Sequence, residues 1–119
     1  VVDDEESIRY TFNSLLSEAG YRVKTSETLA DAMALIEHEM FDLIYLDISV
    51  GLENGLDALR EIKQQYPICP IVMITGAPNP KTVVDAIKSG ASDYLAKPIR
   101  PPSLLYITQK VLTANAANS

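Results

Sequence analysis

The chain has 119 residues, 47% of them apolar, with 10 Lys and Arg against 16 Asp and Glu for a net charge of −6. That length fits one domain able to build its own core, and no apolar run approaches the roughly 18 residues of a membrane span. The acidic balance, with no run of Lys or Arg, argues against direct DNA or RNA binding by this domain. No basic stretch followed by an apolar segment opens the chain, so no signal peptide is expected. The single Cys69 has no internal disulfide partner, which fits a cytoplasmic location.

In chain order, strand and helix signals alternate. Val1-Val2 come directly before Asp3-Asp4. Two residues fall short of the about five or six usual in a core strand, so the chain is expected to open inside a strand. Ile8, Phe12, Leu15, Leu16 and Ala19 then recur at helical spacing, with Gly20 as the stop. Tyr21-Arg22-Val23-Lys24-Thr25 alternates polar and apolar residues, as a half-exposed or edge strand does. Thr28 with Asp31 forms a capping pattern for a second helix, which is expected to turn Leu29, Met33, Ile36 and Met40 inward.

Leu43-Ile44-Tyr45-Leu46-Asp47 is four apolar residues delivering a carboxylate. Such a run reads as a strand buried on both faces of a parallel sheet. A loop through Asn54-Gly55 leads to a third helix carrying Leu56, Leu59, Ile62 and Tyr66 on one face, closed by Pro67. Ile71-Val72-Met73-Ile74-Thr75 is a second buried strand. Gly76 to Pro80 form a loop into a fourth helix through Val83, Val84 and Ile87, stopped by Gly90. Asp93-Tyr94-Leu95-Ala96 is the last strand, ending at Lys97-Pro98, and a fifth helix starts near Pro101-Pro102-Ser103 with Leu104, Ile107, Val111 and Leu112 inward. Five strands alternating with five helices predict an α/β fold, a doubly wound parallel sheet with helices on both faces.

In such sheets the functional crevice lies at the carboxyl ends of the strands. There the chain places Asp3, Asp4, Asp47, Thr75 and Lys97. Three carboxylates at one rim repel, by roughly 4 kcal/mol per pair at 4 Å and an effective dielectric near 20. A proton or a cation must offset that, and Mg²⁺, with its hard oxygen ligands, suits the set. An acidic pocket with a lysine and a hydroxyl fits a transferred phosphoryl group, with Asp47 as the nucleophile.

Val1-Val2-Asp3-Asp4-Glu5, Leu46-Asp47-Ile48, Asn54-Gly55-Leu56, Thr75-Gly76, Gly90-Ala91-Ser92-Asp93-Tyr94 and Lys97-Pro98 together resemble the receiver domain of two-component response regulators, over essentially the whole chain. The resemblance implies a flavodoxin-like, five-stranded sheet in the order 2-1-3-4-5, its first strand truncated. It implies a receiver domain over residues 1–114, with residues 115–119 starting a linker or tail. Asp47 would be the phosphoacceptor, loaded by a histidine kinase or a phosphotransfer protein. Asp4 and Asp47 would ligate Mg²⁺ directly, with the Ser49 carbonyl as a third ligand and Asp3 acting largely through water. Thr75 and Lys97 would hold phosphoryl oxygens, Tyr94 would be an aromatic switch coupled to Thr75, and Lys97-Pro98 would be cis.

The family's output face, the fourth helix, last strand and fifth helix, would be the surface for homodimerisation and for signalling to an effector domain elsewhere. Such a domain is a regulator rather than an enzyme, promoting only its own phosphorylation and dephosphorylation. The chain departs from the family pattern after Ser49, where Val50-Gly51 replace the common Met-Pro.

Three other readings compete. A haloacid-dehalogenase-type hydrolase would need a second acid two residues after its nucleophile, whereas Asp47-Ile48-Ser49 has a serine there. A flavodoxin-type FMN module would meet repulsion from Asp3-Asp4-Glu5-Glu6 at its phosphate loop. A pseudo-receiver acting as a binding module alone would not need the intact acid set and Lys97. His38, the only histidine, falls late in the second helix, where a cation suits the helix dipole.

Overall fold

The structure, a computed structural model, describes residues 1–49, 55–76 and 79–117. Among these, helices α1 (Glu6–Glu18), α2 (Leu29–His38), α3 (Gly55–Gln65), α4 (Pro80–Lys88) and α5 (Pro101–Ala117) alternate with strands β1 (Ile44–Asp47), β2 (Ile71–Thr75) and β3 (Asp93–Ala96). The strands are parallel in the order β1-β2-β3, with Asp47 opposite Ile74 and Thr75 opposite Ala96.

The apolar runs form strands because both of their faces are covered. Ile44, Leu46, Ile71 and Met73 point into a core shared with Leu29, Leu59 and Ile62 of α2 and α3. The alternate residues, Tyr45, Val72, Ile74 and Leu95, pack against Phe12 and Leu16 of α1 and Leu104 and Val111 of α5. All of β1 and β2 is buried. The result is the doubly wound, flavodoxin-like α/β sandwich expected.

The two remaining expected strands are reduced to single bridges. Val2 pairs in parallel with Ser26 on one side and with Leu46 on the other. The Val2 amide donates to the Tyr45 carbonyl at 2.8 Å, and the Asp47 amide to the Val2 carbonyl at 2.9 Å. The spatial order is therefore Ser26, Val2, β1, β2, β3, which is the order 2-1-3-4-5. No strand forms over Tyr21 to Thr25. The contact with Val1 to Asp3 falls instead on Lys24, whose carbonyl accepts from the Val1 nitrogen at 2.9 Å, and on Ser26, whose amide donates to the Val1 carbonyl at 2.8 Å.

Local signals set the helix ends. The Thr28 hydroxyl accepts from the Asp31 amide at 3.1 Å, and Asn79 caps α4 by accepting from the Thr82 amide at 2.9 Å. Gly20 ends the α1 region at φ +100°, a conformation that favours glycine. The Lys97-Pro98 peptide is cis.

Other expectations need correction. Met40 is fully exposed rather than inward, because α2 stops at His38 and Glu39 leaves the helical conformation, which ends the 3.6-residue spacing. Phe41 packs on the core in its place. Gly55 is the first residue of α3 rather than part of the loop, and Pro80 likewise opens α4. On α4 the buried residue is the small Ala86, and Val84 and Ile87 stay exposed. The last helix continues to Ala117, so residues 115–117, expected as a tail, are helical. Val50-Gly51 and Asn54 lie outside the described residues.

Candidate functional site

Four segments bring their polar residues to one rim. Asp3 follows the Val2 bridge, Asp47 ends β1, Thr75 ends β2 and Lys97 follows β3. Backbone pairing fixes each position: the Asp47 amide is tied to Val2, the Ile48 amide to the Ile74 carbonyl at 2.9 Å, and the Lys97 amide to the Thr75 carbonyl at 2.8 Å. The carboxylate, hydroxyl and ammonium are thereby held at the ends of adjacent strands. Asp4, Glu5, Asp47, Ile48, Ser49, Thr75, Gly76, Thr82 and Lys97 line an open cleft of about 570 Å³.

Burial differs sharply among the acids. Asp3 is 0% exposed and Asp47 3%, whereas Asp4 is exposed at the rim. Carboxylate oxygens of Asp3, Asp4 and Asp47 lie within 4.8 Å of one another. The Lys97 ammonium sits among them, 3.2 Å from Asp3 Oδ2 and 3.7 Å from Asp47 Oδ2, and only 2.6 Å from Glu5 Oε1. Asp3 Oδ1 accepts the Glu5 amide at 2.8 Å, and Asp47 Oδ1 accepts the Ser49 amide at 3.1 Å. Arg9 donates to the Asp3 backbone carbonyl at 2.8 Å and so fastens the acidic turn to α1.

The electrostatics follow from this packing. Burial pushes the Asp47 carboxyl above the ordinary carboxylate range; the Ser49 amide and Lys97 pull it back, and the charges of Asp3 and Asp4 push it up further. Burial alone acts to lower the Lys97 ammonium. Its hydrogen bond to Glu5 and the charges of Asp3 and Asp47 outweigh that and raise it.

The donor set fits a hard divalent cation. All three acids offer oxygen, and Asp3 Oδ2 is a fully buried atom that accepts no hydrogen bond among the described residues, although Lys97 is near it as an ion-pair partner. A separation of up to 4.8 Å allows a mixture of direct and water-bridged coordination around an ion about 2.1 Å from its ligands.

The structure thus brings Asp4, Asp47, Ser49, Thr75 and Lys97 together at one cleft, with Asp3 buried beside them. Tyr94 stands apart on β3, 38% exposed. Val84 and Ile87 on α4 and Leu105 and Tyr106 on α5 are likewise apolar side chains left exposed. Three residues at the site were not given roles by the sequence alone. Glu5 and Arg9 are one helical turn apart, with the Arg9 amide donating to the Glu5 carbonyl, and that spacing is the signal that places both on one side of α1. Thr82 reaches the cleft only through the position of α4.

Comparison with known proteins agrees with this fold. The family model for the response regulator receiver domain matches residues 1–109. The chain belongs to that family. It is 42% identical over 112 residues to the alginate biosynthesis transcriptional regulatory protein AlgB of Pseudomonas putida, covering 94% of this chain and 25% of that protein. It is 38% identical over 114 residues to the nitrogen assimilation regulatory protein NtrX of Azorhizobium caulinodans, with the same two coverages. The CheY-like response regulator receiver domain protein of Methanospirillum hungatei superposes with a TM-score of 0.93 at 28% identity, covering 99% of this chain and 94% of that one. The chain spans about a quarter of the length of the curated relatives it matches. Among the described residues, no helix is long and apolar enough to cross a membrane.

Proposed function

We propose that the domain is a phosphorylation-dependent switch with Asp47 as its phosphoacceptor. The observation that carries this reading is the Asp47 carboxylate itself, buried at the end of β1, facing an open cleft, with Lys97 Nζ 3.7 Å away and Thr75 on the neighbouring strand. An Asp47 oxygen forms a bond to phosphorus as the phosphorus–nitrogen bond of a donor phosphohistidine breaks. The departing imidazole keeps the electron pair and takes up a proton. Lys97 and the Thr75 hydroxyl receive the equatorial oxygens as the phosphoryl group arrives.

Asp3, Asp4 and Asp47, with the Ser49 carbonyl, would hold Mg²⁺, which supplies positive charge against the phosphoryl oxygens when bound. The partner is a histidine kinase or phosphotransfer protein. The new charge on Asp47 biases Thr75 and Tyr94, and through them the face of α4, β3 and α5, between two arrangements. Shifting such an equilibrium from 1:99 to 99:1 requires about 5.5 kcal/mol of differential interaction, and new charge-assisted bonds to the phosphoryl oxygens supply part of it. The relative AlgB, named as a transcriptional regulatory protein and spanned to a quarter by this chain, supports an effector domain as the recipient. The exposed Val84, Ile87, Leu105 and Tyr106 support a homodimer through the same face.

The test is intact mass after incubation with Mg²⁺ and a small phosphodonor. The wild type is expected to gain one phosphate and Asp47→Asn none. An unmodified wild type, or an undiminished adduct on the variant, overturns the reading.

A further inference from the structure

We propose that Glu5 is a positioning residue: it holds the Lys97 ammonium away from Asp47 until a phosphoryl group on Asp47 draws it off. The inference rests on the reading of Asp47 as phosphoacceptor. Among the described residues, three carboxylates lie around Lys97 Nζ: Glu5 is the nearest at 2.6 Å, Asp3 follows at 3.2 Å and Asp47 is the farthest at 3.7 Å.

Glu5 is built for this contact. It occupies the N-cap position of α1, yet its side chain makes no capping hydrogen bond. Its backbone is pinned on both sides, the amide by Asp3 Oδ1 at 2.8 Å and the carbonyl by the Arg9 amide at 3.2 Å. The side chain therefore springs from a fixed point of backbone, and its carboxylate, free of any capping bond, meets Lys97. On the other partner, the Lys97 amide is anchored to Thr75 at 2.8 Å, so the flexible stem alone can move the ammonium.

Exposure decides which contact yields. The side chain of Glu5 is 54% exposed and Lys97 15%, while Asp3 is fully buried. When a dianionic phosphoryl group offers Lys97 a stronger partner, Glu5 can exchange its ion pair for water. Buried Asp3 has no such exchange. Glu5 thus sets how readily Lys97 is released to the reacting group. Because an exposed ion pair is weak, the effect on loading is about two- to fivefold.

The test compares Glu5→Gln, Glu5→Asp and Glu6→Gln with wild type. The first removes the charge, the second keeps it but shortens the reach, and the third removes an equal charge from the adjacent exposed residue in the first turn of α1. Two quantities are read: the rate of phosphate addition from a small phosphodonor with Mg²⁺, and the proton–nitrogen resonance of the Lys97 ammonium without donor or metal. Both Glu5 variants are expected to load about two- to fivefold faster and to shift the ammonium resonance, with Glu6→Gln matching wild type in both. An unmoved resonance, Glu5→Asp behaving as wild type, or Glu6→Gln accelerating as much as Glu5→Gln overturns the proposal. Wild type that takes up no phosphate overturns the phosphoacceptor reading and this inference with it. Wild type that loads, with Glu5→Gln loading no faster, overturns this inference alone.

Discussion

The Tyr45 hydroxyl donates a hydrogen bond to Thr108 Oγ1, 2.6 Å away in the core, and so ties the strand that carries Asp47 to helix α5. The direction follows from proton counting: Thr108 gives its own hydroxyl proton to the Leu104 carbonyl at 2.8 Å, leaving only the tyrosine to donate. Tyr45→Phe keeps the ring, and with it the edge contact to Phe12 at 4.9 Å between centroids. Its expected cost is about 1 kcal/mol, a fall in Tm of roughly 4 °C. Thr108→Val leaves a buried phenol without an acceptor and is expected to cost more, about 1–3 kcal/mol. Urea unfolding of both variants checks the order.

The same tyrosine gives the stability a high-pH limb. Burial, the leading cause, pushes its hydroxyl from about 10 up to about 12. The folded state therefore keeps this proton where the unfolded state has lost it. The contribution is complete below pH 10 and disappears as pH rises through 12, amounting to at most about 3 kcal/mol. Unfolding curves between pH 8 and about 12 are expected to fall more steeply for wild type than for Tyr45→Phe. Parallel curves would assign the limb to other groups.

Lys97→Met removes the cation from a site where Asp3 is 0% and Asp47 3% exposed. Stranding buried carboxylates costs several kcal/mol when the partner is fully buried. Lys97 is 15% exposed, so screening reduces the expected loss to about 1–3 kcal/mol in chelator-treated buffer. Mg²⁺ binding only the folded state adds stability by mass action, and is expected to stabilise the variant more than wild type. Equal gains in unfolding experiments with and without Mg²⁺ would show that the lysine and the ion do not share these acids.

Gly55→Ala tests the turn after Asp47. A Cβ on Gly55 would run into the Ile48 backbone, whose carbonyl accepts the Gly55 amide at 2.9 Å. Backbone cannot swing aside as a flexible side chain can, so a cost of about 1–3 kcal/mol and slower phosphate loading are expected. Gly20→Ala is the contrast: a Cβ there meets nothing within 4 Å, and only its φ of +100° is strained. It is expected to lose about 1 kcal/mol with loading unchanged. Thermal unfolding and intact mass separate the two.

Much of the fold was legible because its signals are local. The runs ending in Asp47 and Thr75 form strands, Ile44 to Asp47 and Ile71 to Thr75, under any packing that covers both faces, and Thr28 and Gly20 act within one turn of chain. The expectations that failed depend on distant partners. Tyr21 to Thr25 has the alternation of a strand, but a strand exists only where paired amides and carbonyls run along it, and here the pairing with Val1 to Asp3 falls on Lys24 and on Ser26, just past the segment. The inward placement of Met40 assumed that α2 continued past His38.

The candidate site divides in the same way. Sequence by itself determined that Asp3, Asp4, Asp47, Thr75 and Lys97 would meet, since parallel strands joined by right-handed crossovers bring their carboxyl ends to one edge. It could not determine how the charges share one another. The tertiary structure decided that Asp3 and Asp47 are buried while Asp4 is not, and that Lys97 lies closest to Glu5, 92 residues away in the chain. The reason is physical: strand order follows from patterns of apolar residues, whereas ion-pair choice turns on distances of an ångström and on access to water, which exist only once the chain is folded.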